Sequence, residues 1–266
     1  MSDHSMKLYG LALCVSFACS NLVGQQTEDP GKFDGVSATV WFQTSAEFRA
    51  LCFQAYAIAR WRLDADIRDS ASSLPRAVVV DVDETVLDNS PHQAKLIATG
   101  TQFPMWWKEW VASATAEAIP GAVEFLTYAA SRDVKVFYVT NRDSAERDAT
   151  IRNLRYRGFP DADLAHVLTR EVASSKEERR RRIAASHRIV LLVGDNLNDF
   201  AAVFERKPAS ERAAAADAWK SEFGTRFIVL PNPLYGDWES AVFQYERTLS
   251  LPQKHELRLK SMKEFP

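Results

Sequence analysis

The sequence contains few cysteines and almost no excess charge, and each shortage excludes a class of protein. Three cysteines, Cys14, Cys19 and Cys52, occur among 266 residues. They are too few for the disulfide framework of a small secreted domain. The formal net charge of −2 gives the chain no general attraction to nucleic acid polymers or to anionic lipid. An internal repeat is absent as well, which excludes a repeat architecture.

The balanced charge has one local exception, a basic run at residues 179–182. The run lies in a helical pattern and follows Glu177 and Glu178, whose negative charges offset it. We interpret this run as the solvated face of a helix.

Long hydrophobic runs are scarce, and the one near the N-terminus is short. Residues 8–19 are mostly apolar, follow Lys7 and end in small residues, a pattern typical of a signal peptide and too short for a membrane span. We expect a signal peptide at 1–24 and export, to the periplasm or to an outer-membrane anchor in a bacterium. Three alternatives stay open: lipid attachment at Cys19, simple cleavage near Ser20, or a buried N-terminal strand.

The rest of the sequence has the composition of one large domain. Hydrophobic residues make up 46% and charged residues 26% of the chain, which suits a globular fold. Polar residues with Gly and Pro at 25–38 indicate a tether, so the domain is predicted at 39–266. Between Thr39 and Asp66, apolar residues recur at helical spacing and predict one long amphipathic helix. Cys52 lies on its apolar stripe and is assigned to the core.

Short apolar runs alternate with helical patterns and predict a parallel sheet. Strands that alternate with helices form sheets covered by helices on both faces, so the predicted fold is α/β with a Rossmann-like sheet. A small helical subdomain over the site is expected from residues 39–70, the tryptophan-rich insertion 91–118 and the C-terminal tail. A further long helix is predicted at 199–223. The strands are predicted at 77–80, 136–139, 189–194 and 227–230, with a shorter one at 165–168.

Two carboxylates follow the first of these strands. Asp81 ends the run Ala77-Val-Val-Val-Asp81, and Asp83 lies two residues further on. Ligand sites in open parallel sheets lie at the carboxyl ends of the strands. Two carboxylates this close repel each other unless a cation lies between them or one of them is protonated. A hard cation such as Mg²⁺, bound by carboxylates and a substrate phosphate, fits this pair.

A pair of aspartates after an apolar run also occurs by chance in loops, so the other strand ends matter. The second strand ends in Thr140 and Asn141, and the third is followed by Asp195 and Asp199. Lys176 lies between these two segments. The chain therefore presents an acidic pair, a hydroxyl group, a lysine and a second acidic pair, in that order.

This order of groups resembles the haloacid dehalogenase-like (HAD) phosphohydrolase superfamily. The segments VVDVDETVLDNSP, IPGAVEF, VFYVTNRD, VGDNLNDF and LPNPLYGDWE are more specifically similar to class C acid phosphatases, the lipoprotein e(P4) family of bacterial 5′-nucleotidases. The resemblance covers roughly residues 45–239. It implies a Mg²⁺-dependent acid phosphatase that acts on small phosphate monoesters, with 5′-nucleotides and nicotinamide mononucleotide as the expected substrates.

The resemblance also implies a separate catalytic or metal-binding role for each acidic residue. Asp81 is the expected nucleophile, which forms an aspartyl-phosphate, and Asp83 is the expected general acid and base. Mg²⁺ is expected to bind the Asp81 carboxylate, the Asp83 main-chain carbonyl and Asp195. Asp199 and Asn196 are expected to orient the water bound to the metal. Asn196 has the alternative role of capping a helix.

The remaining site residues are expected to hold the substrate. Thr140, Asn141 and Lys176 are assigned to the phosphate oxygens, whose charge grows in the transition state. A plain backbone contact is the alternative for Thr140, and a surface position is the alternative for Arg142.

Two aromatic side chains are assigned to the leaving group of the substrate. Trp107 and Tyr235 are expected to stack against a flat base or nicotinamide ring. The alternative is that Trp107 only packs the helical subdomain together with Trp106 and Trp110.

Two other functions stay open. One is a different hydrolase or phosphotransferase on the same scaffold, and the other is a non-catalytic storage or binding protein. The intact pair of Asp81 and Asp83 argues against the second. The oligomeric state is open too, with a homodimer as one alternative.

Overall fold

A computed structural model describes residues 31–69 and 73–265. The four main apolar runs of the sequence form the strands called β1, β4, β6 and β7 below, which confirms them as strands. The shorter predicted strand, β5, begins at Val167 and ends at Arg170. The strands are β1 (Arg76–Val80), β2 (Leu87–Asp88), β3 (Glu117–Ala118), β4 (Lys135–Asp143), β5 (Val167–Arg170), β6 (Arg188–Gly194) and β7 (Phe227–Val229).

Five of these strands form one parallel sheet in the order β5-β4-β1-β6-β7. β1 is central, with Val78 level with Val136 of β4 and Leu191 of β6. Residues 77–80 of β1 are all buried, as expected for a strand that is covered on both faces. The short strands β2 and β3 form a separate antiparallel pair. The predicted α/β fold with a parallel sheet is therefore confirmed.

Helices cover both faces of the sheet, and two of them differ from prediction. The long helix predicted from Thr39 is interrupted at Ser45, whose extended backbone ends one helix and whose hydroxyl accepts a hydrogen bond from the Phe48 N–H at 3.1 Å. Ser45 thus caps the next helix. The helix predicted at 199–223 is shortened to α8, because two 3₁₀ turns precede it. The helices are α1 (Val36–Thr44), α2 (Ala46–Asp69), α3 (Ser90–Thr99), α4 (Trp107–Ser113), α5 (Ala122–Ser131), α6 (Arg147–Tyr156), α7 (Glu177–Ala184), α8 (Ala209–Ala218), α9 (Asp237–Val242) and α10 (Leu251–Ser261).

The apolar stripe of α2 holds this helix against the sheet. Phe48, Cys52, Ala59 and Leu63 are at most 4% exposed and belong to one buried cluster with Val78 and Val80 of β1. Burying one large apolar side chain stabilises the fold by about 1.5–3 kcal/mol. A second buried cluster, which includes Ile183 of α7, covers the opposite face. These two clusters fix the ends of β1 and β6, where the polar residues follow.

A group of helices lies beside the sheet and is tied together by polar contacts. Asp34, just before α1, bonds to His255 of α10 at 2.9 Å and to Arg258 of α10 at 2.7 Å. Lys254 of α10 donates to Gln102, which follows α3. α1 begins inside the predicted tether. The predicted domain boundaries and the helical subdomain stay predictions.

The predicted signal peptide, Cys19 and most of the tether lie outside the described residues. Within residues 31–69 and 73–265, no helix combines the length and the apolar character that crossing a membrane requires.

Candidate functional site

Three carboxylates meet at the carboxyl ends of β1 and β6. Asp81 directly follows β1, and its N–H donates to the Val193 carbonyl of β6 at 2.9 Å. Asp195 follows β6, and Asp199 lies on the turn after it. One carboxylate oxygen from each of Asp81, Asp195 and Asp199 lies within 4.8 Å of the other two. Lys176, just before α7, pairs with Asp81 and lies 2.6 Å from an Asp199 oxygen.

The chemistry of this group fits a hard divalent cation. Its donors are carboxylate oxygens, which Mg²⁺ and Ca²⁺ prefer, and two oxygens on one such ion are separated by up to about 4–5 Å. Burial raises the pKa of Asp81 well above its ordinary range, although the Lys176 ammonium opposes the shift. Burial, together with the charge of Asp199, raises the pKa of Asp195 to about 7. A bound cation would favour the ionised form of both groups.

Neutral hydrogen-bond donors orient Asp195 and Asp199, the two carboxylates that follow β6. The Thr85 hydroxyl donates to Asp195 at 3.1 Å, and the Asn232 amide donates to the other Asp195 oxygen at 2.7 Å. The Asn196 N–H donates to Asp199 at 3.0 Å. The Asn196 side chain accepts from the Asn198 N–H at 3.2 Å and so caps the short turn there.

Asp83 is held apart from these three carboxylates by a cage of donors. The Arg142 guanidinium lies 2.8 Å from an Asp83 oxygen, to which the Asn89 amide also donates at 2.9 Å. The Thr140 hydroxyl donates to the other oxygen at 3.2 Å and accepts from the Arg142 N–H at 3.1 Å. Arg142 is only 3% exposed, so its alternative as a surface residue is wrong.

The tryptophans of the insertion lie next to this cage. The Trp110 indole N–H donates to Asn89 at 2.8 Å. The Arg142 guanidinium lies 5.4 Å from the centre of the Trp107 ring, and the His92 ring packs edge-on against Trp107 at 5.2 Å. Trp107 is half-buried. The structure therefore brings Trp107 to the Asp83 side of the site.

Tyr235 lies in the loop after β7, on the Asp195 side. It follows Asn232 by three residues, is partly buried against the main core cluster, and accepts a hydrogen bond from Trp238 through its carbonyl at 3.2 Å. Within residues 31–69 and 73–265, no ring contact joins Tyr235 to Trp107.

The basic run at 179–182 differs from prediction. Arg179 and Arg180 are only 4% and 5% exposed, so the interpretation of the whole run as a solvated face is wrong. Arg179 donates to the Thr140 carbonyl and to the Asn141 side chain, the latter at 2.7 Å. Burial lowers the pKa of Arg179 to about 10. The Asn141 side chain is therefore engaged by Arg179, beside the phosphate-binding residues assigned from sequence.

Several residues around the site were not assigned roles from the sequence. All but Trp110 lie inside a segment quoted above for the family resemblance, which was the one available signal. Glu84 is an example: it is completely buried, accepts the Asn89 N–H at 2.7 Å, and closes the turn after Asp83. The others are Thr85, Asn89, Trp110, Arg142 and Asn232.

Comparison with known proteins identifies the family. The family model of the HAD superfamily, subfamily IIIB (acid phosphatase), matches residues 16–238. The chain belongs to the subfamily IIIB acid phosphatases. This confirms the resemblance stated from the sequence. Phosphatases of this superfamily generally use a divalent metal. In this protein Asp81, Asp195 and Asp199 form an acidic group that suits such a metal.

Solved structures agree with this family. The class C acid phosphatase from Bacillus anthracis is 40% identical, with a TM-score of 0.86 over 88% of this chain and 99% of that one. A second structure of that enzyme, with tungstate bound, is 39% identical, with a TM-score of 0.85 over the same shares. Acid phosphatase 1 of Solanum lycopersicum is 27% identical over 167 residues, which span 59% of this chain and 57% of that protein.

Proposed function

We propose that this protein is a phosphatase that hydrolyses small phosphate monoesters at the carboxyl end of β1. The observation that carries the proposal is the placement of Lys176 between Asp81 and Asp199, 2.6 Å from Asp199, with Asp195 close by. This arrangement places a carboxylate that could act as nucleophile, Asp81, beside the Lys176 ammonium. It also brings two further carboxylates, Asp195 and Asp199, close enough to serve a metal. Phosphoryl transfer depends chiefly on such positioning and charge stabilisation.

In the proposed reaction, an Asp81 oxygen attacks phosphorus. The bond from phosphorus to the leaving oxygen breaks, and Asp83 donates its proton to that oxygen. An aspartyl-phosphate on Asp81 results. Water then attacks phosphorus and loses a proton to Asp83, while the bond from phosphorus to the Asp81 oxygen breaks. Phosphate is released, the Asp81 carboxylate is restored and Asp83 is protonated again. Lys176 and Thr140 stabilise the charge on the phosphate oxygens.

We propose Mg²⁺ as the metal. Asp81 and Asp195 would hold it, together with the Asp83 main-chain carbonyl that the family resemblance supplies, and Asp199 would hold its water. When bound, Mg²⁺ supplies positive charge beside the phosphate and offsets the repulsion among the carboxylates.

We propose 5′-nucleotides and nicotinamide mononucleotide as substrates. The support is the position of Trp107, half-buried and next to the Arg142 guanidinium that pairs with Asp83. A ring that stacks on Trp107 would leave its phosphate near the acid that protonates the leaving oxygen. Tyr235, in the loop that also supplies Asn232 to Asp195, is assigned to the same ring.

Hydrolysis of p-nitrophenyl phosphate tests the proposal. We expect turnover in the presence of Mg²⁺, its loss with EDTA, and its return when Mg²⁺ is added back. Asp81→Asn should leave at most a few per cent of the wild-type rate while keeping the wild-type circular dichroism spectrum. A well-folded wild-type protein that releases no p-nitrophenol with any divalent metal would instead favour the storage or binding function.

We also propose that the protein is exported, with Cys19 as a site of lipid attachment. The support is the apolar run at 8–19, which ends in Cys19. Mass spectrometry of protein from the producing cell should find an N-terminus between about Cys19 and Gln25. A lipid adduct on an N-terminal Cys19 supports lipid attachment, and an unmodified N-terminus after Cys19 contradicts it. Protein in the cytosol with Met1 intact would contradict export.

A further inference from the structure

A polar notch opens at the end of the sheet opposite to Asp81. β6 begins at Arg188, but β7 pairs with it only from Leu192 onward. Within the described residues, no strand covers that edge of residues 188–191. The resulting cavity of about 600 Å³ lies between α2, the start of β6 and the turn before β7. We call it the arginine notch, after Arg62, Arg188 and Arg226, which line it together with Asp66.

The arginine notch carries an excess of positive charge. Asp66 is the one acidic residue that lines it, and its carboxylate is already shared between Arg76, at 2.8 Å, and Arg188. Arg62 and Arg226 have no acidic partner within residues 31–69 and 73–265. Arg226 is exposed at the rim, whereas Arg62 is half-buried. An anion entering the notch would therefore meet two guanidinium groups that no carboxylate neutralises.

Unused hydrogen-bond donors point to the same place. Among the described residues, four buried side-chain atoms have no hydrogen-bond partner, and two of them are the Nε atoms of Arg62 and Arg188. Buried donors are nearly always satisfied, so each exception asks for an explanation. Both atoms belong to arginines that line the arginine notch, so their guanidinium groups have hydrogen-bonding capacity left for a ligand.

We propose that the arginine notch binds an oxyanion of the phosphate class, with Arg62 and Arg188 as donors and Arg226 at the entrance. The planar fork of an arginine matches the oxygens of a phosphate, and its hydrogen bonds to an anion are stronger than those to a neutral group. β6 spans seven residues from Arg188 to Gly194, which at ~3.3 Å per residue separates the notch from Asp195 by roughly 20 Å. The bound anion is therefore not the phosphate that Asp81 would attack.

Tungstate, a phosphate mimic, provides the first test. Crystals of the wild-type protein soaked in sodium tungstate should show one anomalous peak near Asp81 and a second in the arginine notch. Arg62→Gln should remove the second peak alone. In solution, calorimetric titration with inorganic phosphate should show two sites in the wild type, with the notch site weakened about tenfold or more in Arg62→Gln, as expected for losing a charged hydrogen bond.

Matched variants separate the notch from other effects. Arg49→Gln removes the same charge from an exposed position on α2 and should leave both sites unchanged. Arg226→Gln alters only the exposed rim, so it should fold normally and weaken the notch site several-fold. Turnover of p-nitrophenyl phosphate should be the same in all three variants and in the wild type, because none of these residues touches the Asp81 site.

The source of the anion is distinguished by vesicles. Binding to phosphatidylglycerol vesicles that is lost in Arg62→Gln, and absent with pure phosphatidylcholine, identifies a lipid headgroup. Phosphate binding at the notch without such vesicle binding identifies a free anion. A tungstate peak at the Asp81 site alone, with one-site phosphate titrations that are identical in wild type and Arg62→Gln, overturns the proposal.

Discussion

The Arg142 guanidinium lies 2.8 Å from the Asp83 carboxylate although the two residues are 59 positions apart in the sequence. The pair joins the end of β4 to the loop after β1, and Arg142 is buried while Asp83 stays partly accessible. A buried guanidinium has few alternative partners, so it fixes the direction in which the acid points. Arg142 is in this sense a positioning residue for the proton donor.

We expect Arg142→Ala to lower kcat by about 10- to 100-fold, because a misplaced general acid loses most of its contribution. The loss should be larger for an alkyl phosphate than for p-nitrophenyl phosphate, whose leaving group needs little protonation. Arg142→Lys should restore part of the rate. Arg152→Ala, which alters an exposed arginine on α6, serves as the control. Equal losses on both substrates would indicate a purely structural role for Arg142.

Gly194 has no room for a side chain. A Cβ atom at this position would lie 2.6 Å from the Asp199 Cβ and 2.8 Å from its Cγ, so Gly194→Ala must displace Asp199 from its present position. We expect the Mg²⁺ concentration for half-maximal activity to rise about 10- to 100-fold, as for other changes behind metal ligands. Gly224→Ala is the control, because it strains a backbone with φ of 74° but meets no atom within 4 Å. A metal requirement that shifts equally in both variants would contradict this account.

Trp107→Ala tests the assignment of the aromatic contact. Losing one stacking face, worth ~1–3 kcal/mol, should lower kcat/KM for 5′-nucleotides and nicotinamide mononucleotide about tenfold and spare a small aliphatic phosphate. Trp106→Ala removes the neighbouring exposed tryptophan and should change neither substrate class. If Trp107→Ala affects both classes equally, Trp107 serves packing and the support of Arg142.

Cys52 should be chemically silent in the folded protein. Its side chain is completely buried, and burial raises the pKa of its thiol to about 12. Because the thiolate is the reactive form, dithionitrobenzoate should not label Cys52 until the protein is unfolded in guanidinium. A variant that carries Cys14→Ser and Cys19→Ser isolates this signal. Labelling of the native protein at the rate of a free thiol would mean that the core opens around α2.

The sequence predicted the sheet well because its strands are apolar runs with polar ends, which is a local property. It placed Asp81, Asp195, Asp199 and Lys176 in one site through the family resemblance, and the structure brings them together.

The sequence did not predict the partners of these residues. The contacts of Asn232 with Asp195 and of Arg179 with Asn141 join residues 37 and 38 positions apart. Such contacts depend on how the helices and strands pack. The basic run at 179–182 follows two glutamates, and nothing in this pattern indicates that Arg179 and Arg180 are buried. The break at Ser45 was missed for a different reason. The apolar periodicity continues across it, whereas the extended backbone of Ser45 and its capping hydrogen bond show the break in the structure.

Asp34 bonds to Arg258 across 224 positions of sequence. The first described segment of the chain is thus held by α10 as well as by hydrogen bonds to its own neighbours. A truncation before Leu251 would remove the contacts of α10 with Asp34. We therefore expect it to increase protease cleavage at residues 31–35. Residues 31–35 and α10 stabilise each other. A tag or truncation that disturbs one of these two segments is therefore expected to destabilise the other.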